Sequence, residues 1–372
     1  MTAQPPGGQW PQPSFDHPGG APQPWRPSGQ LPPDWPGAGN YPAHPMRPGG
    51  QPMPPGFGSF ASGGPADAFL PRSYPQLLRG PAHRWWRPLA SLAIGLAGVL
   101  VLLALAVVAL IVAVILDPEW AEQVADSTGT SQLITQDNLA GMLLGTNLFL
   151  AAFIPISLLA VRGGHAWRWN WVHSVTGRLR WRWLLAVAGV AAVVQIIATG
   201  AVLVIEGPPD FSRPEPQLGL LLAIILLTTP LQAAGEEYLA RGWLTQSIGS
   251  WFARPAVAVI VSALMTAGVF AALHGAQNFW LGLDRFAFGL FASYVTWRTG
   301  GLEAAVAAHA VNNIIVFIPL VLSGTLVEGL NVADAGALLV LFDIATMVLL
   351  GWLVTVLAER WKVQRMHFPP VR

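Results

Sequence analysis

The sequence of 372 residues contains no cysteine. Disulfides, thiolate metal sites and a cysteine nucleophile are thereby excluded. Charge is also scarce. Asp, Glu, Lys and Arg make up 10% of the chain, against about 25% in soluble domains. A deficit of that size means that much of the surface faces something other than water. The formal net charge is +1, which implies no bulk attraction to nucleic acid. No cleavable secretory leader is expected, because the first sustained apolar run begins only near Leu89.

What is present is apolar, with 53% hydrophobic residues. Residues 1–80 stand apart from this. They hold 20 of the 33 prolines and 14 of the 39 glycines, and they show no apolar periodicity. Such a segment has too little apolar surface to offset the cost of ordering it. It is read as a disordered, partly polyproline-like cytoplasmic tail, with Trp10, Trp25 and Trp35 scattered through it.

A membrane span needs about 20 apolar residues. Eight stretches qualify: approximately 88–116, 139–161, 183–205, 218–240, 255–273, 284–298, 302–322 and 335–357. The expected fold class is an all-α polytopic membrane protein with about eight transmembrane helices and a disordered N-terminal tail. Residues 85–360 form the membrane domain, and residues 361–372 form a short cytoplasmic tail. Arginine marks alternate loops, at Arg72, Arg79, Arg84 and Arg87, at Arg162 to Arg182, at Arg254, at Arg298 and at Arg360 to Arg372. The opposite loops are acidic, with Asp117, Glu119, Glu122, Asp126, Glu206, Asp210 and Glu215. Positive loops stay on the cytoplasmic side. Both termini are therefore placed in the cytoplasm, around a protein of the inner (plasma) membrane. Trp167, Arg168, Trp169, Trp171, Trp181, Arg182 and Trp183 read as an interfacial segment, since tryptophan and arginine favour the headgroup zone.

Charged residues inside spans are costly and so carry information. The fourth span ends in Glu236, Glu237 and Arg241. The fifth ends in Phe270 and His274. The seventh contains His309 and Asn313. Residues four apart share a helix face, and adjacent ones diverge. Glu237 can therefore pair with Arg241, while Glu236 points elsewhere. His309 and Asn313 project together, and Phe270 can pack on His274. A carboxylate and a neighbouring histidine can activate a water as general base. A second histidine and an amide can donate to a developing oxyanion. The set covers what peptide hydrolysis needs. Each motif alone also has a plain reading, as an interface boundary, a packed histidine or helix–helix glue. Gln195 and Asp343 are read as packing hydrogen bonds or cavity liners.

These motifs, E-E-x-x-x-R at Glu236, Glu237 and Arg241, F-x-x-x-H at Phe270 and His274, and H-x-x-x-N at His309 and Asn313, resemble those of the CPBP family. Its members are the CAAX-protease and bacteriocin-processing membrane proteins, also called Rce1-like or Abi. The resemblance covers about residues 218–322. It implies an intramembrane endopeptidase in which Glu236 and His274 activate the attacking water, and His309 and Asn313 stabilise the oxyanion. Glu237, Arg241 and Phe270 support the site. Zinc on Glu236, His274 and His309 is one alternative. A metal-free mechanism is preferred, because Glu237 is tied to Arg241 and leaves no second carboxylate as base. The expected partners are the lipid bilayer and a peptide or protein substrate, prenylated or otherwise membrane-associated, with no nucleic acid. A non-catalytic scaffold or immunity factor on the same fold is the runner-up, and a transporter is the third reading. One geometric condition follows from the span count. Glu236 falls near the cytoplasmic end of its span, and His274 at the far end of the next. For the two to meet, the fifth span must start deeper, tilt, or break near Gly268.

Overall fold

The structure is a computed structural model. It describes residues 71–80, 83–116, 136, 138–166 and 168–368. The tail up to residue 70 with its tryptophans, the acidic residues Asp117, Glu119, Glu122 and Asp126, Trp167 and Arg372 lie outside the described residues.

The described residues are almost entirely helical. In chain order the helices are α1 (Arg87–Leu116), α2 (Leu139–Ala151), α3 (Phe153–His165), α4 (Trp181–Glu206), α5 (Leu218–Glu237), α6 (Thr245–Gly249), α7 (Pro255–Leu273), α8 (Phe279–Thr299), α9 (Glu303–Ser323), α10 (Leu326–Leu330) and α11 (Ala337–Arg360). A π-helix, Tyr238–Leu244, joins α5 to α6. Local sequence explains several boundaries. Pro255 opens α7, where its missing N–H is no loss. The Asn278 side chain accepts the Leu281 N–H and caps α8. Gly300 and Gly324 end α8 and α9 in the left-handed conformation.

Seven helical stretches among the described residues are long and apolar enough to cross a membrane. They include Leu139–His165, built of α2 and α3, and Leu218–Gly249, built of α5, the π-helix and α6. The protein is a multi-pass membrane protein. The sixth of the eight expected spans is where the structure differs. α8 is longer than expected, at 21 residues, but carries Asp284, Arg285 and Arg298 and is not among the seven. Asp284 is buried beside Arg285, at 3.6 Å, and hydrogen-bonds Asp343 of α11. Its charges are thus met inside the protein. At the other extreme, α1 exposes its leucines and valines along its length, as a helix facing lipid does.

α9 is the pivot of the bundle and packs on both α4 and α5. Its buried face is alanine, at Ala304, Ala305, Ala307, Ala308 and Ala310. Such small residues let helix backbones approach closely where lipid gives no hydrophobic drive. Glu303 in its first turn is fully buried. It takes 2.8 and 2.6 Å hydrogen bonds from Arg180 Nε and Nη2 and one from the Arg180 backbone N–H. Arg180 Nη1 continues to the Thr299 carbonyl. This clamp ties the start of α4 to the start of α9.

Residues 72–78 are ordered, although composition assigns them to the end of the tail. Arg72–Ser73 forms a two-residue antiparallel strand pair with Met366–His367 near the C-terminus. Tyr74, Leu77 and Leu78 are buried. The Tyr74 hydroxyl donates to the Val172 carbonyl, and Gln76 donates to Phe252 and Ala253. The apolar run Tyr74–Leu78, with its aromatic anchor, supplies what the preceding sequence lacks. The aromatic loop divides as well. Trp169 and Trp181 are exposed, but Trp183 is buried in the main core cluster rather than at the surface.

Arg180→Met should leave the Glu303 carboxylate buried and unpaired, at a cost of about 3–5 kcal/mol. Thermal unfolding in detergent should show a clear fall in midpoint. Combining it with Glu303→Gln should restore much of the loss.

Candidate active site

α5 does not stop after Glu237. The helical path continues through the π-helix to Gly249, so Glu236 lies in the middle third of a stretch of 32 residues. A π turn inserts an extra residue and is common at functional sites. Here the Thr245 hydroxyl donates to the Ala240 carbonyl, five residues back. α7 runs unbroken through Gly268, with His274 as its C-cap. The condition set by the span count is met by a deeper Glu236, not by a broken fifth span. The sequence count ended the fourth span too early because a polar run was read as a boundary.

Glu237 and Arg241 are both fully buried, with Oε1 to Nη1 at 3.1 Å. Arg241 Nη2 donates to the Gly289 carbonyl at 3.0 Å. Its guanidinium lies 4.8 Å from the Phe270 ring and 6.0 Å from the Phe288 ring, within cation–π range. The same Glu237 oxygen receives His309 Nδ1 at 2.9 Å. His309 is thereby turned so that its Nε2 stands 3.6 Å from Glu236 Oε2. One imidazole is held between two carboxylates, and Phe288 stacks on it edge-on at 4.7 Å.

Glu236 has a different environment from its neighbour. Its Oε1 accepts from Gln232 Nε2 at 2.7 Å, while Oε2 accepts no hydrogen bond. It borders a cavity of about 220 Å³ together with Leu150, Phe153, Leu239, Val269, Phe270, Leu273 and His274. His274 is exposed, as are Leu273 and Val269 of the same wall. Its Nδ1 donates to the Phe270 carbonyl at 2.7 Å. A carbonyl can only accept, so Nδ1 carries a proton, and in the neutral ring the lone pair is then on Nε2. The Phe270 ring lies 4.6 Å from the imidazole. Asn313 is placed one step behind, donating to Gln232 Oε1 at 3.1 Å.

The structure thus puts Glu236, Phe270 and His274 on one cavity. Glu237, Arg241 and His309 form a buried core beside it, and Asn313 reaches Glu236 only through Gln232. Gln232, Phe288, Leu150 and Phe153 escaped the sequence reading. Gln232 was within reach of it, because it precedes Glu236 by one helical turn. Phe288, Leu150 and Phe153 are ordinary apolar residues of distant segments and gave no local signal.

Glu236, His274 and His309 are the residues considered for a metal. The Nδ1 bonds of His309 to Glu237 and of His274 to a carbonyl leave Nε2 of each ring as the atom that could ligate. Among the described residues, no three His, Asp or Glu side chains are arranged to hold a metal ion. As placed, the set does not fit a three-ligand zinc, and no step is derived through one.

Comparison with known proteins bears out the resemblance carried by the motifs. Residues 218–315 match the family described as type II CAAX prenyl endopeptidase Rce1-like. That segment contains all seven motif residues. An uncharacterized protein of Bacillus subtilis (strain 168), YyaK, is 28% identical over 191 residues, covering 49% of this chain. The match spans 62% of that relative's length. No solved structure matches.

The cavity wall depends on a close helix crossing at Gly235. A Cβ there would stand 2.0 Å from the Leu150 carbonyl oxygen. Gly235→Ala should push α2 and α3 away from α5 and cost about 1–3 kcal/mol. Gly268→Ala, where a Cβ meets nothing within 4 Å, should leave the unfolding midpoint in place.

Proposed function

We propose that this protein, whose residues 218–315 match the Rce1-like endopeptidases, is an intramembrane endopeptidase that hydrolyses peptide bonds with a water activated by Glu236 and His274. The observation that carries the reading is the shared cavity. One Glu236 oxygen accepts no hydrogen bond, His274 Nε2 makes none, and both residues border one space walled by apolar side chains. A water between them can lose a proton to the carboxylate while it attacks the carbonyl carbon. The histidine can orient that water through Nε2, and the proton taken up by Glu236 is then handed to the leaving amine, directly or by way of that Nε2, which restores the carboxylate. The family resemblance gives the oxyanion donors to His309 and the second N–H of Asn313, which stand beside the cavity and not on its wall. Water activation is assigned to side chains of this chain, without a metal. The substrates are peptide or protein chains at the membrane, prenylated or otherwise membrane-associated. The apolar walls of Leu150, Phe153, Val269 and Leu273 favour an apolar side chain or lipid group near the scissile bond.

The orientation follows the arginine-rich loops, with both termini in the cytoplasm of a bacterial-type inner membrane. Fusions of a periplasm-active reporter enzyme after residues 213 and 178 test it. Activity is expected at the first position and not at the second.

The purified full chain, in lipid nanodiscs and offered a peptide library that includes farnesylated peptides, should release cleaved products. Glu236→Ala and His274→Ala should each lower the rate by at least about 100-fold, as loss of a positioned base does. The same rates in wild type and both variants would remove the assignment. An unchanged rate after prolonged treatment with a zinc chelator is also expected, and loss of activity would restore the metal alternative.

A further inference from the structure

Beside the motif residues runs a chain of four amides that ends on Glu236. Gln195 of α4 donates its Nε2–H to Asn312 Oδ1 of α9. Asn312 Nδ2 donates to Asn313 Oδ1 at 3.3 Å. Asn313 Nδ2 donates to Gln232 Oε1 of α5 at 3.1 Å. Gln232 Nε2 donates to Glu236 Oε1 at 2.7 Å, the shortest of the last three links and the one that ends on a carboxylate. Every donor in the chain points the same way.

Direction matters because an amide has two faces. Rotated by half a turn, Gln232 would present its carbonyl oxygen to the carboxylate, and the contact would repel. Donation from Asn313 to Gln232 Oε1 forbids that rotation. Asn313 is fixed in the same way by Asn312, and Asn312 by Gln195. Among apolar helices these groups have no water to turn to, so each satisfies the next. Such chains also polarise along their length.

We propose that Gln232 is a positioning residue that aims the Glu236 carboxylate into the cavity, and that Asn313, Asn312 and Gln195 act in series to set the orientation of its amide. Asn313 therefore works on the base as well as on the oxyanion. The proposal rests on the peptidase reading for its kinetics but not for its geometry.

The test uses the full chain in nanodiscs, with the peptide cleaved best in a library screen. Gln232→Leu should lower kcat by about 10- to 100-fold with KM nearly unchanged, since a misaimed base affects the transition state rather than binding. Gln195→Leu, on a different helix, should lower kcat by a smaller factor. The double variant should be no slower than Gln232→Leu, because the two act in series. Losses that multiply, or that fall on KM, overturn the proposal. A second readout needs no activity. The infrared carboxylate band that disappears in Glu236→Gln should shift in Gln232→Leu and, more weakly, in Gln195→Leu. A band unmoved in both overturns the proposal even if wild type cleaves nothing. Wild type without cleavage but with the shifted band leaves this inference standing while the peptidase reading falls. If Gln232→Leu fails to fold, Gln195→Leu carries the infrared measurement, with the same two outcomes.

Discussion

Glu237 and Arg241 stand 3.1 Å apart where water does not reach. Removing two charges from water costs several kcal/mol for each ion, and only good geometry with further hydrogen bonds repays it. Here the further bonds are what build the site. Arg241 reaches the Gly289 carbonyl and packs against Phe270 and Phe288. Glu237 takes His309. The pair therefore gathers α5, α7, α8 and α9 onto one point. Without it, the His309 ring would lose the carboxylate that holds its Nδ1.

That difference is the chemical content of the arrangement. Adjacent helical residues face about 100° apart, so one glutamate is given to structure and the other to the cavity. The fully buried one is paired with an arginine and hydrogen-bonded to a histidine. The other is held on one oxygen by Gln232, and its second oxygen accepts no hydrogen bond and stands 3.6 Å from His309 Nε2. Partial burial, an amide donor and a nearby imidazole make a base that is oriented at the cavity's edge. The apolar wall beyond it offers room to a peptide with a greasy neighbour.

Much of this was legible in the chain order of residues. Hydropathy gave the helical membrane protein and most of its spans, because twenty apolar residues in a row have few other uses. The spacing of four gave the pairing of Glu237 with Arg241 and the contact of Phe270 with His274. Three things were hidden. The span of Glu236 was cut short, because charges that pair with one another inside a protein look, in sequence, like charges that end at a headgroup. The span at α8 was begun too late, at residue 284, because Asp284 and Arg285 interrupt its apolar run, although the helix starts at Phe279 and pairs the two inside the protein. Tyr74 and Trp183 were assigned to a tail and an interface, since burial of an aromatic depends on contacts remote in sequence. The amide chain from Gln195 to Glu236 joins three helices, and no local pattern announces it beyond the turn that separates Gln232 from Glu236.

The division of labour between the two glutamates can be measured on folded protein. Glu236→Gln and Glu237→Gln differ by one position and make the same chemical change. Thermal unfolding of both variants in one detergent, alongside wild type, compares them directly. Glu236→Gln should unfold within a degree or two of wild type. Glu237→Gln leaves the Arg241 guanidinium buried without its counter-charge, at about 3–5 kcal/mol, and should unfold at a distinctly lower temperature. Equal midpoints for the two variants, or a larger fall for Glu236→Gln, would contradict the account.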